Sequence, residues 1–236
     1  MKRLLIVILL FGIITGYSNM VFAEDVNVTV GLKTWIATWE SKFTEGSIES
    51  DYGLMFGPNI NVRSGNFFGG LSYLLGSFSF PTETFYDSSV GYYDVEYEAD
   101  RTDMDLSAGY YFHPNVAVFL GYKVVNMDFT FTSADLDVTV DDSLELSGPA
   151  FGVSGYYPIG QSRWALFGSL SYLVLDGEWD DGTSEEGTGP SIEFGGAYTV
   201  EDKPLSVSVG FKSQSFESDD GEDIFSGLTV GVNYSF

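Results

Sequence analysis

The chain has 236 residues, with 34 acidic side chains against 10 basic ones and a formal net charge of −24. That balance excludes nucleic-acid binding, which needs basic surface to neutralise phosphate, and the absence of cysteine excludes a disulfide-stapled secreted domain. Apolar residues are an ordinary 44%, beside 17% aromatics and 28 glycines, so a bundle of membrane helices is not expected either.

The first element is a leader. Lys2 and Arg3 make a basic start, and Val21-Phe22-Ala23 a small-residue cleavage motif. Between them Leu4 to Ile14 form an apolar run, shorter than the roughly 20 residues of a spanning helix. Cleavage of this signal peptide (1–23) is expected after Ala23, leaving 24–236 as a single domain.

From there the chain alternates apolar and polar residues with a period of two, the mark of strands with one apolar face. Ten strands are expected. The first spans about 25–40, with Val26, Val28, Val30, Leu32 and Ile36 opposing Asn27, Thr29, Gly31 and Lys33. The second and third span about 51–63 and 66–80. The fourth ends at His113, with Met104, Leu106, Ala108, Tyr110 and Phe112 opposing Asp103, Asp105, Ser107 and Gly109. The fifth, 116–132, changes phase: Val116 to Val124 are apolar at even positions, but Met127, Phe129 and Phe131 at odd ones. A bulge near Val125 would produce that slip. Four more follow at about 145–157, 163–174, 191–200 and 205–216. The last, 227–236, sets Leu228, Val230, Val232, Tyr234 and Phe236 against Gly227, Thr229, Gly231, Asn233 and Ser235.

The connections alternate too. RSGN (63–66), HPN (113–115), PIGQSR (158–163) and EDKP (201–204) are tight, whereas 41–50, 81–100, 133–144, 176–189 and 217–223 are long. An even strand number with short and long connections at opposite ends describes an all-β, up-and-down antiparallel transmembrane barrel, its tight turns periplasmic and its loops outside. The faces rich in Gly, Ser, Thr and Asn suit a lumen. Within the long connections, GYYDVEYEAD (91–100) and DVTV (137–140) alternate as well. They suggest hairpins rising beyond the bilayer, since about 9–11 residues span it, and protruding edges can accept a partner strand. Tyr110, Phe112, Tyr157, Trp164, Tyr234 and Phe236 fit one interfacial girdle, Trp39 and Tyr52 the other.

The closing stretch GLTVGVNYSF (227–236) resembles the last strand of bacterial outer-membrane proteins, a broad family with OmpX-like, opacity-like and omptin-like barrels. The resemblance implies that Tyr234 and Phe236 form an assembly signal read by the barrel-assembly machinery. It also raises the question of catalysis, because omptin-like proteases and barrel acyltransferases depend on a His near the outer rim. The one histidine here, His113, falls in a tight turn at the opposite end, out of reach of such a substrate. No enzyme is expected, no catalytic residue is assigned, and no cofactor motif is present. Asp176, Glu178 and Asp180 have part of a Ca²⁺-loop spacing, but Gly182 comes one place late and no twelfth-position Glu follows. The acidic loops read as solvated surface, or as weak divalent-cation bridges to lipopolysaccharide phosphates.

A repeated tripeptide points into the lumen. Gly31-Leu32-Lys33, Gly121-Tyr122-Lys123 and Gly210-Phe211-Lys212 each place Lys on the polar face. Reflecting two hairpins about their turns sets Asp105 opposite Lys123 and Glu193 opposite Lys212, with β-carbons about 4.5–5.5 Å apart. A layer of ion pairs is expected, with Lys33 as the excess cation reaching towards Glu193; isolated hydrated charges are the alternative. Ten strands lie close to the eight whose interior side chains fill, and far from the sixteen of an open channel. The expected function is an integral outer-membrane barrel with a largely occluded lumen, serving envelope structure or surface contacts; a narrow channel for ions or small solutes is the alternative. Expected partners are outer-membrane lipid and lipopolysaccharide, the barrel-assembly machinery, and a surface partner the sequence does not name.

Overall fold

A computed structural model describes residues 26–43, 46–218 and 221–236; the expected leader and its cleavage site lie outside them. The backbone forms β1 (Val26–Phe43), β2 (Gly46–Glu49), β3 (Gly53–Ser64), β4 (Phe67–Ser79), β5 (Glu83–Asp87) and β6 (Gly91–His113). It continues with β7 (Val116–Ser133), β8 (Val138–Pro158), β9 (Trp164–Trp179), β10 (Ser184–Thr199), β11 (Leu205–Glu217) and β12 (Glu222–Ser235). All but the short β2 and β5 belong to a closed 10-strand antiparallel barrel. Each barrel strand pairs with the next along the chain, and β12 returns to β1 from Thr29↔Ser235 to Lys42↔Glu222. The ring has no open edge of its own, while β2 folds back on β1 and β5 on β6.

The tight turns gather at one end, here the turn end. Gly65, with φ 56°, takes the left-handed conformation that the two-residue link from β3 to β4 requires. At the opposite, loop end, most of the expected loop is strand. β9 runs to Trp179 and β10 begins at Ser184. GYYDVEYEAD forms the first part of β6, and the VTV of DVTV starts β8 with Phe131 opposite Val140. At 23 and 21 residues, β6 and β8 are about twice the 9–11 that cross a bilayer.

The extra length explains the phase change on β7. No bulge lies near Val125: its pairing runs unbroken through Asp103 on one side and Leu146 on the other. The irregularity between β6 and β7 falls between Tyr111 and His113, at the turn end. Gly121, Lys123, Val125, Met127 and Phe129 share one face throughout. What changes is the medium. Outward residues are apolar up to Val124, where lipid covers them, then become Asn126, Asp128 and Thr130 in water. Inward residues change the opposite way, from Gly121 and Lys123 to buried Val125 and Met127. β1 repeats the switch: Val28 to Ile36 give way outside to Thr38 and Glu40, while Lys33 gives way inside to Trp35, Ala37 and Trp39.

Trp39 therefore does not join an outer girdle with Tyr52. It is 2% exposed and has the parity of Lys33, so it faces inward, whereas Tyr52 is exposed. At the turn end Tyr110, Phe112, Tyr157, Trp164, Tyr234 and Phe236 are all exposed on the outer face, as an interfacial girdle needs.

Candidate functional site

The lumen is layered from the turn end upward. Its lower part is lined by small polar residues such as Thr29, Asn59, Ser154, Ser169, Ser206 and Ser208, around a chamber of about 710 Å³. Large rings here lie against the wall rather than across the space. Phe68, Phe119 and Phe167 occupy the room that a Cβ would take on Gly109, Gly152 and Gly195, at 2.4, 2.7 and 2.7 Å from the ideal Cβ positions. A second chamber of about 350 Å³ continues upward and shares Lys33, Asn59, Ser154, Ser169 and Glu193 with the first.

Charged side chains form the ceiling of these chambers. Lys33 on β1 reaches both oxygens of Glu193 on β10 at 2.7 Å, and Thr229 Oγ1 donates to Glu193 Oε1 at 3.2 Å. The neighbour of Lys33 on β12 is Gly231, which puts no side chain beside it. Lys123 Nζ lies 2.7 Å from Asp103 and 3.0 Å from Asp105, and Asp105 pairs directly with Lys123 across the hairpin. Arg101 adds a two-point contact to Asp103, Nε at 2.7 Å and Nη2 at 3.1 Å, with both side chains fully buried.

Lys212 departs from the expected layer. It is paired in register with Glu193, but it makes no ion pair within 4.0 Å among the described residues. Glu193 is taken by Lys33, and Lys212 Nζ turns upward to within 4.5 Å of the Trp35 ring centroid. The excess cation is thus Lys212 rather than Lys33. With no carboxylate within 4.0 Å, the buried ammonium is stabilised there by the negative face of the indole.

Arg101 joins this ceiling to the layer above. Its guanidinium lies 3.6 Å from the Phe225 ring centroid and 5.6 Å from that of Phe216. Nη1 has no hydrogen-bond partner among the described residues, so the Phe225 face is its compensation. Above it, Trp35, Met55, Leu74, Phe78, Leu175 and Phe225 are buried in one apolar cluster that fills the upper lumen. Trp39 packs on Phe78, Phe225 and Phe129 at 5.9, 4.8 and 5.7 Å, and its Nε1 donates to Asp223 at 2.8 Å. Ser41 also donates to Asp223, and burial at this position holds the carboxyl above its ordinary value.

No protein-family model and no curated protein matches the chain. Solved structures do. The outer membrane protease OmpT from Escherichia coli superposes with a TM-score of 0.59, covering 89% of this chain and 96% of that one at 13% identity. The translocator domain of the autotransporter NalP from Neisseria meningitidis gives 0.53, covering 94% and 91% at 11% identity. The chain folds as a small outer-membrane β-barrel.

At such identity the fold transfers and residue roles do not, so the barrel's site is read from its own side chains. His113 lies in the β6–β7 turn, where its Nδ1 accepts the Asn115 N–H at 3.3 Å. Asp176 and Glu178 sit on β9 opposite Glu186 and Ser184, and no group of three metal-ligating side chains converges among the described residues. Tyr234 and Phe236 stack edge to face at 4.9 Å, and the Phe236 N–H donates to Val28 O at 2.8 Å, next to the β1–β12 seam. Arg101, Asp103 and the aromatic layer are the features that sequence reasoning missed. The signal for them was parity: Trp35, Trp39, Asp103 and Arg101 all stand on the lumen face of their strands.

Proposed function

We propose that this barrel is a non-catalytic outer-membrane protein whose lumen is closed to ions, and that it serves the envelope through its outer surface or by adding to membrane integrity. The observation that carries the reading is the stacking of two different barriers at one level. An ion rising through the lower chambers meets Lys33–Glu193 and Lys123–Asp103–Asp105, then a dry layer of Trp35, Phe78 and Phe225. Water-filled passage through the second layer would require moving several fully buried rings. The orientation proposed puts the turn end in the periplasm and the loop end outside, in contact with lipopolysaccharide. Tyr234 and Phe236 are proposed as the signal read by the barrel-assembly machinery.

The second reading is a narrow channel, favoured by the two contiguous polar chambers that occupy the lower lumen. Single-channel recording in planar bilayers separates the two. The closed reading expects no steady wild-type conductance, and a measurable leak only when Lys123→Ala, which unpairs the charged ceiling, is combined with Phe225→Ala in the apolar layer above it. A large, steady wild-type conductance overturns it. Orientation is tested separately by an epitope inserted at Ser184 or at Gln161. Antibody on intact cells should reach the first and not the second, and the reverse result inverts the barrel.

A further inference from the structure

The apolar layer that fills the upper lumen has a hollow on its loop side. A pocket of about 440 Å³ opens there between β1, β2, β6 and β7, with Trp39 of the buried layer and the half-buried Phe129 packed against it as its base. Its walls are aromatic. Trp39 and Phe80 meet edge to face at 5.3 Å, and Tyr97 and Phe131 at 5.2 Å. Ser41, Ser47, Ile48 and two glutamates are also in the lining, and no Lys, Arg or His contributes to it. Glu83 pairs with Val95 and shares the inward parity of Tyr97, whereas Glu98 has the outward parity of β6 and adds its charge from the rim. Neither carboxylate has an ion pair or a side-chain hydrogen bond among the described residues. Burial, and after it the Glu83 charge, holds the Tyr97 phenol above its usual range.

Ring faces carry negative electrostatic potential, and unpaired carboxylates add to it. An anion is repelled by both. A neutral apolar molecule gains only buried area. A compact ammonium such as a lysine head is strongly hydrated and gives up that water at a cost. An alkylated ammonium on an apolar body holds its water weakly, fills the volume and meets both rings and carboxylates. The pocket's size falls within the roughly 300–1,000 Å³ of small-molecule sites, and its place above the lipid belt directs it to a dissolved molecule rather than a lipid headgroup.

We propose that this pocket binds a small organic cation, an alkylated ammonium carried on an apolar body. The binding itself is independent of whether the lumen conducts; only the statement that the ligand arrives from outside the cell rests on the orientation proposed above.

The test uses the full barrel refolded in a non-ionic detergent, because zwitterionic detergents carry the very group in question. Benzyltrimethylammonium, benzyl alcohol and benzoate are titrated in turn by calorimetry. The expected result is saturable binding of the cation, at least tenfold weaker binding of the alcohol, and none of benzoate. Glu83→Gln with Glu98→Gln should weaken the cation about tenfold and leave the alcohol unchanged. Phe131→Ala should weaken both, and Tyr97→Leu, which keeps the apolar volume, stands in for it if that variant does not fold. Absence of saturable cation binding overturns the proposal. So does equal binding of all three probes, or indifference of the cation to loss of both carboxylates. Conductance and epitope accessibility are measured apart from it, so their failure is told from this one.

Discussion

Below the charged ceiling, the barrel turns apolar residues outward and small polar ones inward; above it, the same strands on the same parity do the reverse. On β7 the crossover falls between Val124, the last outward apolar residue of the lower half, and Val125, the first inward one of the upper half. The lower half is stable because lipid covers its outer face, and its lumen contributes little packing. The upper half stands in water and is built like a soluble barrel, with Trp35, Phe78 and Phe225 in an apolar core. One pattern of alternation thus serves two solvents, and the charged layer marks the plane where the solvent changes. A β-strand does not record which of its faces is wet; only the surrounding medium decides.

The sharpest way to break this comparison is at the plane itself. Asp103 faces Arg101 and Lys123 with both cations buried. Asp103→Ala leaves the buried Arg101 without a carboxylate and Lys123 with Asp105 alone, a loss of about 3–5 kcal/mol, read as a lowered urea midpoint of the refolded barrel. Asp105→Ala, at a side chain that is 38% exposed, should cost about 1 kcal/mol or less. Next comes a matched pair across the plane. Phe225→Ala should cost about 3–5 kcal/mol through the cavity it leaves, while Ser208→Ala in the lower chamber should stay within about 0.5 kcal/mol. Equal costs would mean that the two halves are not built differently.

The lipid-facing side offers a third test. Phe236→Asp touches neither lumen layer, and near the interface a charge costs only about 0–1 kcal/mol. The finished barrel should therefore be nearly as stable, yet the amount of folded, heat-modifiable barrel in the outer membrane should fall sharply. Undiminished yield would remove Phe236 from the assembly signal. The smallest effect is expected at Asp223, above the lipid belt. Its carboxyl is raised by folding, so it favours the folded state at low pH, and that contribution is lost as pH rises through the folded value. Wild type should gain more stability than Asp223→Asn between pH 7 and about pH 4. An identical gain in both would show that this carboxyl does not sense its burial.

Strand number, parity and hairpin register were legible because each depends on local alternation and turn length. Reflecting the β6–β7 hairpin about its turn was enough to set Asp105 beside Lys123. The same reflection set Glu193 beside Lys212, and the backbone agrees, but the ion pair went to Lys33 instead. A long side chain on an empty lumen chooses among distant partners, and register does not limit it. The apolar layer was misread for a related reason. Val125 and Met127 look like a shifted lipid face if the lumen is assumed polar along its whole height. Trp35, Trp39 and Phe225 on the lumen parity of β1 and β12 were the contrary sign, and three strands together would have revealed a filled interior.

The seam between β1 and β12 has a kinetic meaning apart from its strength. Every other barrel pairing joins strands that follow one another, while Thr29 and Ser235, hydrogen-bonded at 3.0 Å, are 206 residues apart. The entropy of closing a loop grows with the logarithm of its length, and pairings of such long range slow folding. Until that last contact is made, both β1 and β12 present unpaired backbone, the state most prone to stick to another chain. The yield of this protein is therefore governed by how quickly the circle is completed, a quantity on which the stability of the finished ring is silent.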